Sequence, residues 1–155
     1  MKRRDMLLAG LAAPAAAWAH HGWSSFDQDR PLYVEGRVVT VKWQNPHAEL
    51  VIELAPDFKV PPDLAARSLP AQTAPVDGKA LLARAAAPTR RDRRWEVELA
   101  PLTRMEAWKV APVKPGATVG VLGFTFKEEK GEAILRAEYL FVGAQAYGLR
   151  SGPAG

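Results

Sequence analysis

The chain has 155 residues, 48% of them hydrophobic and 25% charged, which is the composition of one folded domain and excludes a disordered or fibrous protein. Cysteine is absent, which excludes disulfides, thiolate zinc sites, iron–sulfur clusters, c-type haem attachment and cysteine nucleophiles. The formal net charge is +4 at pH 7, and any imidazole chemistry must use the three histidines, His20, His21 and His47.

The first 19 residues are typical of an export signal. Basic residues at 2–4 precede an apolar run over 6–17, and Ala17-Trp18-Ala19 is a small-residue cleavage site. The run is too short to cross a bilayer, which takes about 20 apolar residues. The adjacent arginines fit a twin-arginine signal, although a general secretory signal also begins in this way. We therefore predict a soluble periplasmic protein that begins at His20 and has no transmembrane segment.

Two strands are predicted after a polar, extended lead-in over residues 20–31. Residues 32–43 are rich in Val, Thr, Tyr and Trp, which favours a long strand, and Gly36 indicates a bulge or bend in it. Residues 44–46, Gln-Asn-Pro, predict a turn. Residues 48–54 alternate between apolar and acidic side chains, as expected for a strand with one buried face.

The composition changes over residues 56–94. This stretch holds six of the 13 prolines, many alanines, and arginines at 90, 91, 93 and 94. It has no sustained strand period, and its prolines interrupt helices, so only residues 81–87 predict a short helix. We expect a surface insertion that is partly disordered.

A strand and a short helix are predicted next. Residues 95–99 alternate, and Pro101 suits the first turn of a helix. Leu102, Met105 and Trp108 then recur at helical spacing and would pack one face inward.

The final strands are predicted over 119–127 and 133–142, joined by a charged hairpin turn, and residues 149–155 are expected to be a flexible tail. The last strand alternates so that one face would carry Leu135, Ala137, Tyr139 and Phe141. The order of elements predicts an all-β domain over 20–148, a small five-stranded OB-like barrel with one short helix between strands 3 and 4. A seven-stranded sandwich fits less well, because too few strands are visible.

Removal of the signal would make His20 the first residue. An N-terminal histidine offers its α-amine and its ring Nδ1, which together chelate a metal, and a second imidazole completes the arrangement called a histidine brace. His47 is the expected second imidazole, because the Asn45-Pro46 turn presents it between two strands. Nitrogen-rich tetragonal geometry favours Cu(II). The amine titrates at about 7.7–8.0 when free, so affinity would depend on pH near neutrality.

His21 offers a rival mode, in which the amine, the His21 amide nitrogen and the His21 imidazole bind copper without folded structure. Both modes use the same amine, and the sequence leaves the choice open. Met105 is expected in the core rather than as a soft ligand. Asp27, Asp29 and Glu49 are candidate carboxylates around the metal, with solvated surface charge as the simpler interpretation.

Six short motifs lie along the predicted mature chain outside the insertion. They are Ala19-His20-His21, Gly36-Arg37-Val38, Trp43-Gln44-Asn45-Pro46-His47, Trp95-Glu96-Val97-Glu98, Arg104 with Trp108, and Pro115-Gly116.

This pattern resembles a family of small exported bacterial proteins of unknown function, and the insertion stands where that family has a short hairpin. The resemblance marks Trp43, Asn45 and Pro46 as motif residues beside His47, and Arg104 and Trp108 as candidate ligand contacts. The predicted brace also resembles, locally, periplasmic copper carriers and lytic polysaccharide monooxygenases, an analogy of chemistry and not of fold.

We therefore expect an exported copper protein for binding, delivery or tolerance, with a copper donor or acceptor protein of the envelope as partner. The alternative is a metal-free OB-like module that binds a ligand or partner. Aromatic residues such as Trp43 and Trp95 would stack on its ligand, and export argues against nucleic acid. A copper oxidase or oxygenase is less favoured, because the sequence has no general-base or nucleophile constellation.

The charge divides unevenly along the chain. Without residues 1–19 the net charge is +2, and the insertion holds eight basic and four acidic residues. The predicted barrel is therefore not basic. The arginines at 90–94 are candidates for contact with an anionic lipid or polymer.

Overall fold

The computed structural model describes residues 22–155, so the predicted signal, His20 and His21 lie outside the described residues. Short 3-10 turns occur at Trp23–Ser25, Leu64–Ala66 and Lys127–Glu129. The strands and helices are, in chain order, β1 Leu32–Lys42, β2 Glu49–Leu54, α1 Gly78–Arg84, β3 Arg94–Glu98, α2 Leu102–Ala107, β4 Thr118–Phe124, β5 Ile134–Val142 and β6 Gln145–Gly148.

Five of these strands close into an OB-like barrel. The sheet order is β3-β2-β1-β4-β5-β6, and β3 also pairs with β5 in parallel, which closes the ring. A parallel pair needs a long crossover, here supplied by α2 and β4. The predicted five-stranded barrel with a short helix between strands 3 and 4 is confirmed. The structure adds β6, an antiparallel strand on β5 that the sequence analysis missed.

The barrel interior is filled by the inward side chains of the alternating strands. Its largest fully buried members include Trp95, Leu50, Ile52 and Leu135. The bulge predicted at Gly36 lies three residues later, because the β1–β2 register shifts between Val38 and Thr40. Gly36 has a different role: a Cβ there would collide with the backbone carbonyl of Glu53.

The alternation predicted for the last strand breaks at Glu138. The β4–β5 register shifts there, so Ala137 lies in the main core while Tyr139 and Phe141 lie in a second cluster outside it. The expectation that Ala137 and Tyr139 share one face was therefore wrong, since one extra residue in a strand reverses every later side chain.

The insertion is packed against this second cluster, unlike the partly disordered segment that was expected. Leu64 and Leu82 are buried against Tyr33 and Tyr139. Helix α1 begins three residues before its predicted start, where the Asp77 carboxylate accepts a hydrogen bond of 3.0 Å from the Ala80 amide. The insertion is ordered because it covers aromatic residues on the outside of the barrel.

The C-terminal segment is also held, against the expectation of a flexible tail. Leu149 is fully buried, and its amide donates to the Glu138 carbonyl at 2.8 Å. Arg104 and Trp108 donate to the carbonyls of Leu149 and Ser151 at 3.0 and 2.8 Å. Within residues 22–155, neither helix is long and apolar enough to cross a membrane.

Candidate functional site

His47 lies in the connection between β1 and β2, which is fixed on both sides. The Asn45-Pro46 peptide is cis, and the Asn45 side-chain oxygen accepts a hydrogen bond of 3.1 Å from the Leu102 amide at the start of α2. On the other side, the Ala48 amide donates to the Ala100 carbonyl at 2.9 Å, and the Ala48 carbonyl accepts from the Leu99 amide at 2.8 Å. The turn therefore presents His47 from a rigid position.

The side chain of His47 is 10% exposed, and its imidazole lies beside a carboxylate. Its Nδ1 is 3.4 Å from Glu49 Oε1, and Glu49 is also 3.6 Å from the Lys42 ammonium. The carboxylate of Glu49 thus faces one of the two ring nitrogens. A metal at His47 would accordingly bind through the other nitrogen, Nε2.

Charged side chains continue from Glu49 across the outside of the barrel. Glu49 is the cross-strand partner of Glu98 on β3, and Glu98 is the partner of Arg136 on β5. Arg136 Nη1 is 3.4 Å from Glu98 Oε2, and both residues are buried. Burial lowers the pKa of the Arg136 guanidinium below its ordinary value, and the charge of Glu98 opposes that shift. We call His47, Glu49, Glu98 and Arg136 the charged row.

The lead-in, expected to be extended, is anchored at the end of this row. The Trp23 ring contacts two guanidiniums, with Arg136 Cζ at 4.9 Å and Arg150 Cζ at 3.6 Å from its centroid. Arg150 donates to Gln28 at 2.9 Å, and Gln28 donates to the Trp23 carbonyl at 3.2 Å. Arg150 also pairs at 2.9 Å with the fully buried Glu138. We call these five residues the N-terminal clasp.

Sequence reasoning did not find the clasp. Trp23 was noticed only as part of a polar lead-in, while Arg136 and Arg150 carried no motif. The contact between Arg150 and Gln28 joins residues 122 positions apart, so no local pattern could signal it. Burial raises the pKa of Glu138 above its ordinary value, although the charge of Arg150 opposes this.

The other predicted site residues have mainly structural contacts. Trp43 is half-buried against the main core, and Met105 is buried in it as expected. Arg104 and Trp108, predicted as ligand contacts, donate hydrogen bonds to the C-terminal segment. Asp27 and Asp29 form a turn in which the Asp29 amide donates to the Asp27 carboxylate at 3.2 Å. Among residues 22–155, no three His, Asp or Glu side chains are arranged to hold a metal.

A second surface feature lies at the other end of β2. Three guanidiniums surround the Glu53 carboxylate, from Arg37 at 3.6 Å, Arg93 at 3.8 Å and Arg94 at 3.0 Å. Each of these arginine side chains is more than half exposed, and the hydrogen bond from Arg94 lowers the pKa of Glu53. Arg93 and Phe58 line two neighbouring clefts of about 370 and 360 Å³. We call Arg37, Arg93 and Arg94 the arginine patch.

Comparison with known proteins finds a match to one family model, and the description of that family names no activity. A model described as Family of unknown function (DUF6152) matches residues 8–58, a stretch that includes all three histidines together with β1 and β2. This is consistent with the resemblance to a family of unknown function. No curated protein matches the chain.

Proposed function

We propose that this chain is an exported periplasmic protein that binds Cu(II) for delivery or tolerance. The α-amine and ring Nδ1 of His20 would supply two nitrogens and His47 a third. Copper is cargo in this proposal, passed to or from another protein of the envelope. The observation that carries the proposal is the docking of the lead-in on the outer face where the charged row ends.

Simple distances support this proposal. The charged row runs over β2, β3 and β5, and neighbouring strands lie about 4.8 Å apart, so two spacings separate β2, which follows His47, from the strand of Arg136. His20 precedes Trp23 by three residues, which span up to about 10 Å when extended. The length of this tether is comparable to the separation between the strands that carry Glu49 and Arg136, which supports the proposal.

The chemistry of His47 also suits a copper ligand. Its Nδ1 lies 3.4 Å from a Glu49 carboxylate oxygen, and the ring is carried on a turn fixed at both ends. Three nitrogen ligands in a plane favour Cu(II) over harder divalent ions. The carboxylates of Glu49 and Glu98 would offset part of the ion's charge without being ligands.

The test is a copper titration of protein isolated from the cell envelope, with its N-terminus determined by mass. Electron paramagnetic resonance reports the nitrogen ligands. We expect His47→Ala to change the spectrum and weaken binding at least tenfold, because one of three nitrogens is lost. Addition of one residue before His20 should weaken binding similarly.

The matched control is His21→Ala, which removes a neighbouring imidazole and keeps the brace ligands. It should leave the spectrum unchanged. The proposal is wrong if His47→Ala has no effect on spectrum or affinity.

The arginine patch favours a second candidate, a surface that binds a phosphate-bearing anionic polymer. One carboxylate cannot neutralise three exposed guanidiniums, and planar guanidinium groups pair well with phosphate. Binding to polyphosphate in low salt should fall at least tenfold in the triple Arg37→Gln, Arg93→Gln, Arg94→Gln variant. The control removes the same charge elsewhere, as Lys79→Gln, Lys114→Gln and Lys127→Gln. Equal loss in both variants would leave only nonspecific charge attraction.

A further inference from the structure

The arginine patch converges on a single carboxylate, although its three cations could hold a larger anion. We infer that Glu53 occupies the place of a phosphate group, and that the terminal phosphate of an anionic polymer binds by displacing it from the three guanidiniums. This inference rests on the second candidate function, the binding of a phosphate-bearing polymer at the patch, and it does not involve copper.

The strands fix the relative positions of this carboxylate and its arginines. Glu53 on β2 is the cross-strand partner of Arg37 on β1 and of Arg94 on β3, so the three side chains form a row on one face of the sheet. Arg93 is tied to β2, because its Nε donates to the Leu54 carbonyl at 3.2 Å and its carbonyl accepts from the Leu54 amide at 2.7 Å. The cationic site is therefore arranged before a ligand binds, which reduces the entropy lost on binding.

The Glu53 carboxylate fits this site poorly. Arg94 donates a hydrogen bond to Glu53 Oε2 at 3.0 Å, whereas the nearest nitrogens of Arg37 and Arg93 lie 3.6 and 3.8 Å from Oε1. A terminal phosphate group carries more charge than a carboxylate and has three acceptor oxygens, so it can pair with each guanidinium. A phosphate within a chain has less charge and fewer free oxygens. The site therefore favours the end of a chain.

The two clefts that Arg93 lines differ in charge. One is also lined by Arg91, which is exposed, and by the ion pair between Arg90 and Asp92, whose charges offset one another. The other cleft is lined by the carboxylate of Glu35. Because like charges repel, the rest of an anionic chain would follow the cleft of Arg91.

The ligand must displace Glu53 as an anion. The hydrogen bond from Arg94 lowers the pKa of Glu53 below its ordinary value, so this carboxyl group stays ionised near neutral pH. The Glu53 side chain is 24% exposed, and ion pairs of such a hydrated carboxylate are weak. A phosphate can therefore replace these pairs at little cost.

The experiment measures the affinity for tripolyphosphate in low salt by titration calorimetry. We expect Glu53→Gln to bind about fivefold more tightly, because the competing carboxylate is lost and exposed ion pairs of this kind are weak. Glutamine still accepts the hydrogen bond of Arg94, which preserves the local structure. Glu106→Gln on α2 is the matched control, since it removes the same charge from an exposed position, and its gain should stay below about twofold.

A second measurement tests the preference for chain ends. Long-chain polyphosphate whose terminal phosphates are capped as phosphoramidates should bind the wild type about tenfold more weakly than the uncapped chain, because capping removes charge and an acceptor oxygen. Arg91→Gln should weaken binding of the uncapped long chain and leave binding of inorganic phosphate unchanged. An equal effect on both ligands would contradict the direction inferred for the chain.

Circular dichroism checks that each variant is folded. If Glu53→Gln binds no more tightly than Glu106→Gln, or if capped chains bind as well as uncapped ones, the inference is overturned while the patch remains a binding surface. If the triple arginine variant binds polyphosphate as well as the wild type does, the second candidate function fails, and this inference fails with it.

Discussion

The N-terminal clasp and the arginine patch use the same residue type in opposite ways. In the clasp, Arg136 and Arg150 are buried or partly buried against Glu98 and Glu138, whose side chains are at most 5% exposed. In the patch, three exposed arginines share Glu53, which is itself partly exposed. Buried ion pairs are costly to break and hold structure, whereas exposed pairs contribute little and leave their charge available to partners.

The largest expected effect on stability comes from breaking the ion pair between Arg150 and Glu138 in the clasp. Arg150→Ala removes the ion-pair partner of the buried Glu138 carboxylate, and we expect a loss of about 3–5 kcal/mol in the free energy of unfolding. Urea denaturation measures it. Arg94→Ala in the patch is the matched variant and should change stability little, because its partner remains hydrated. Equal losses in both would show that the two regions do not differ as described.

A smaller effect on stability is expected from loosening the insertion. Two arginines of the patch, Arg93 and Arg94, belong to this insertion. Leu82 is 2% exposed in the outer cluster, and Leu82→Ala should cost roughly 2–4 kcal/mol through lost burial and a cavity. The neighbouring exposed residue Arg84 offers a control, since Arg84→Ala removes a longer side chain from the surface of the same helix. A loosely attached insertion would give the same small change for both.

The smallest expected effect concerns pH. Burial acts to raise the pKa of Glu129, but hydrogen bonds from Thr89 and Arg90 outweigh it, so the folded pKa lies below the ordinary value of 4.5. The ionised carboxylate then stabilises the fold above that ordinary value, and this contribution is lost as pH falls through the folded pKa. Glu129→Gln should cost roughly 1–2 kcal/mol at pH 7.

The measurement is the free energy of unfolding between pH 7 and pH 3, where Glu129→Gln should show a shallower decline than the wild type. Glu138 contributes a pH dependence of the opposite sign. Its folded pKa is raised, so its ionised form destabilises the fold, and protonation on acidification relieves that cost. A steeper decline in Glu129→Gln would contradict the assignment of this carboxylate.

The strands were predictable because each is a local pattern. Residues 48–54 and 95–99 alternate in the sequence and pair as β2 and β3 with their apolar side chains inward. The turn at Asn45-Pro46 was likewise predictable, and with it the placement of His47 between two strands. The packing of the insertion was not predictable, because its buried leucines contact aromatic residues that only the closed barrel presents on its outer face.

The sequence by itself determined the barrel, the helix after the third strand and the rigid turn that carries His47, since alternation, turn chemistry and helix spacing act over a few residues. The tertiary structure decided where the lead-in docks, which glutamates are buried and what holds the last seven residues. Those contacts join Trp23 and Gln28 to Arg136 and Arg150, which closure of the barrel brings together. The position of the predicted copper ligand His47 thus has a local origin, while the N-terminal clasp is a product of the fold.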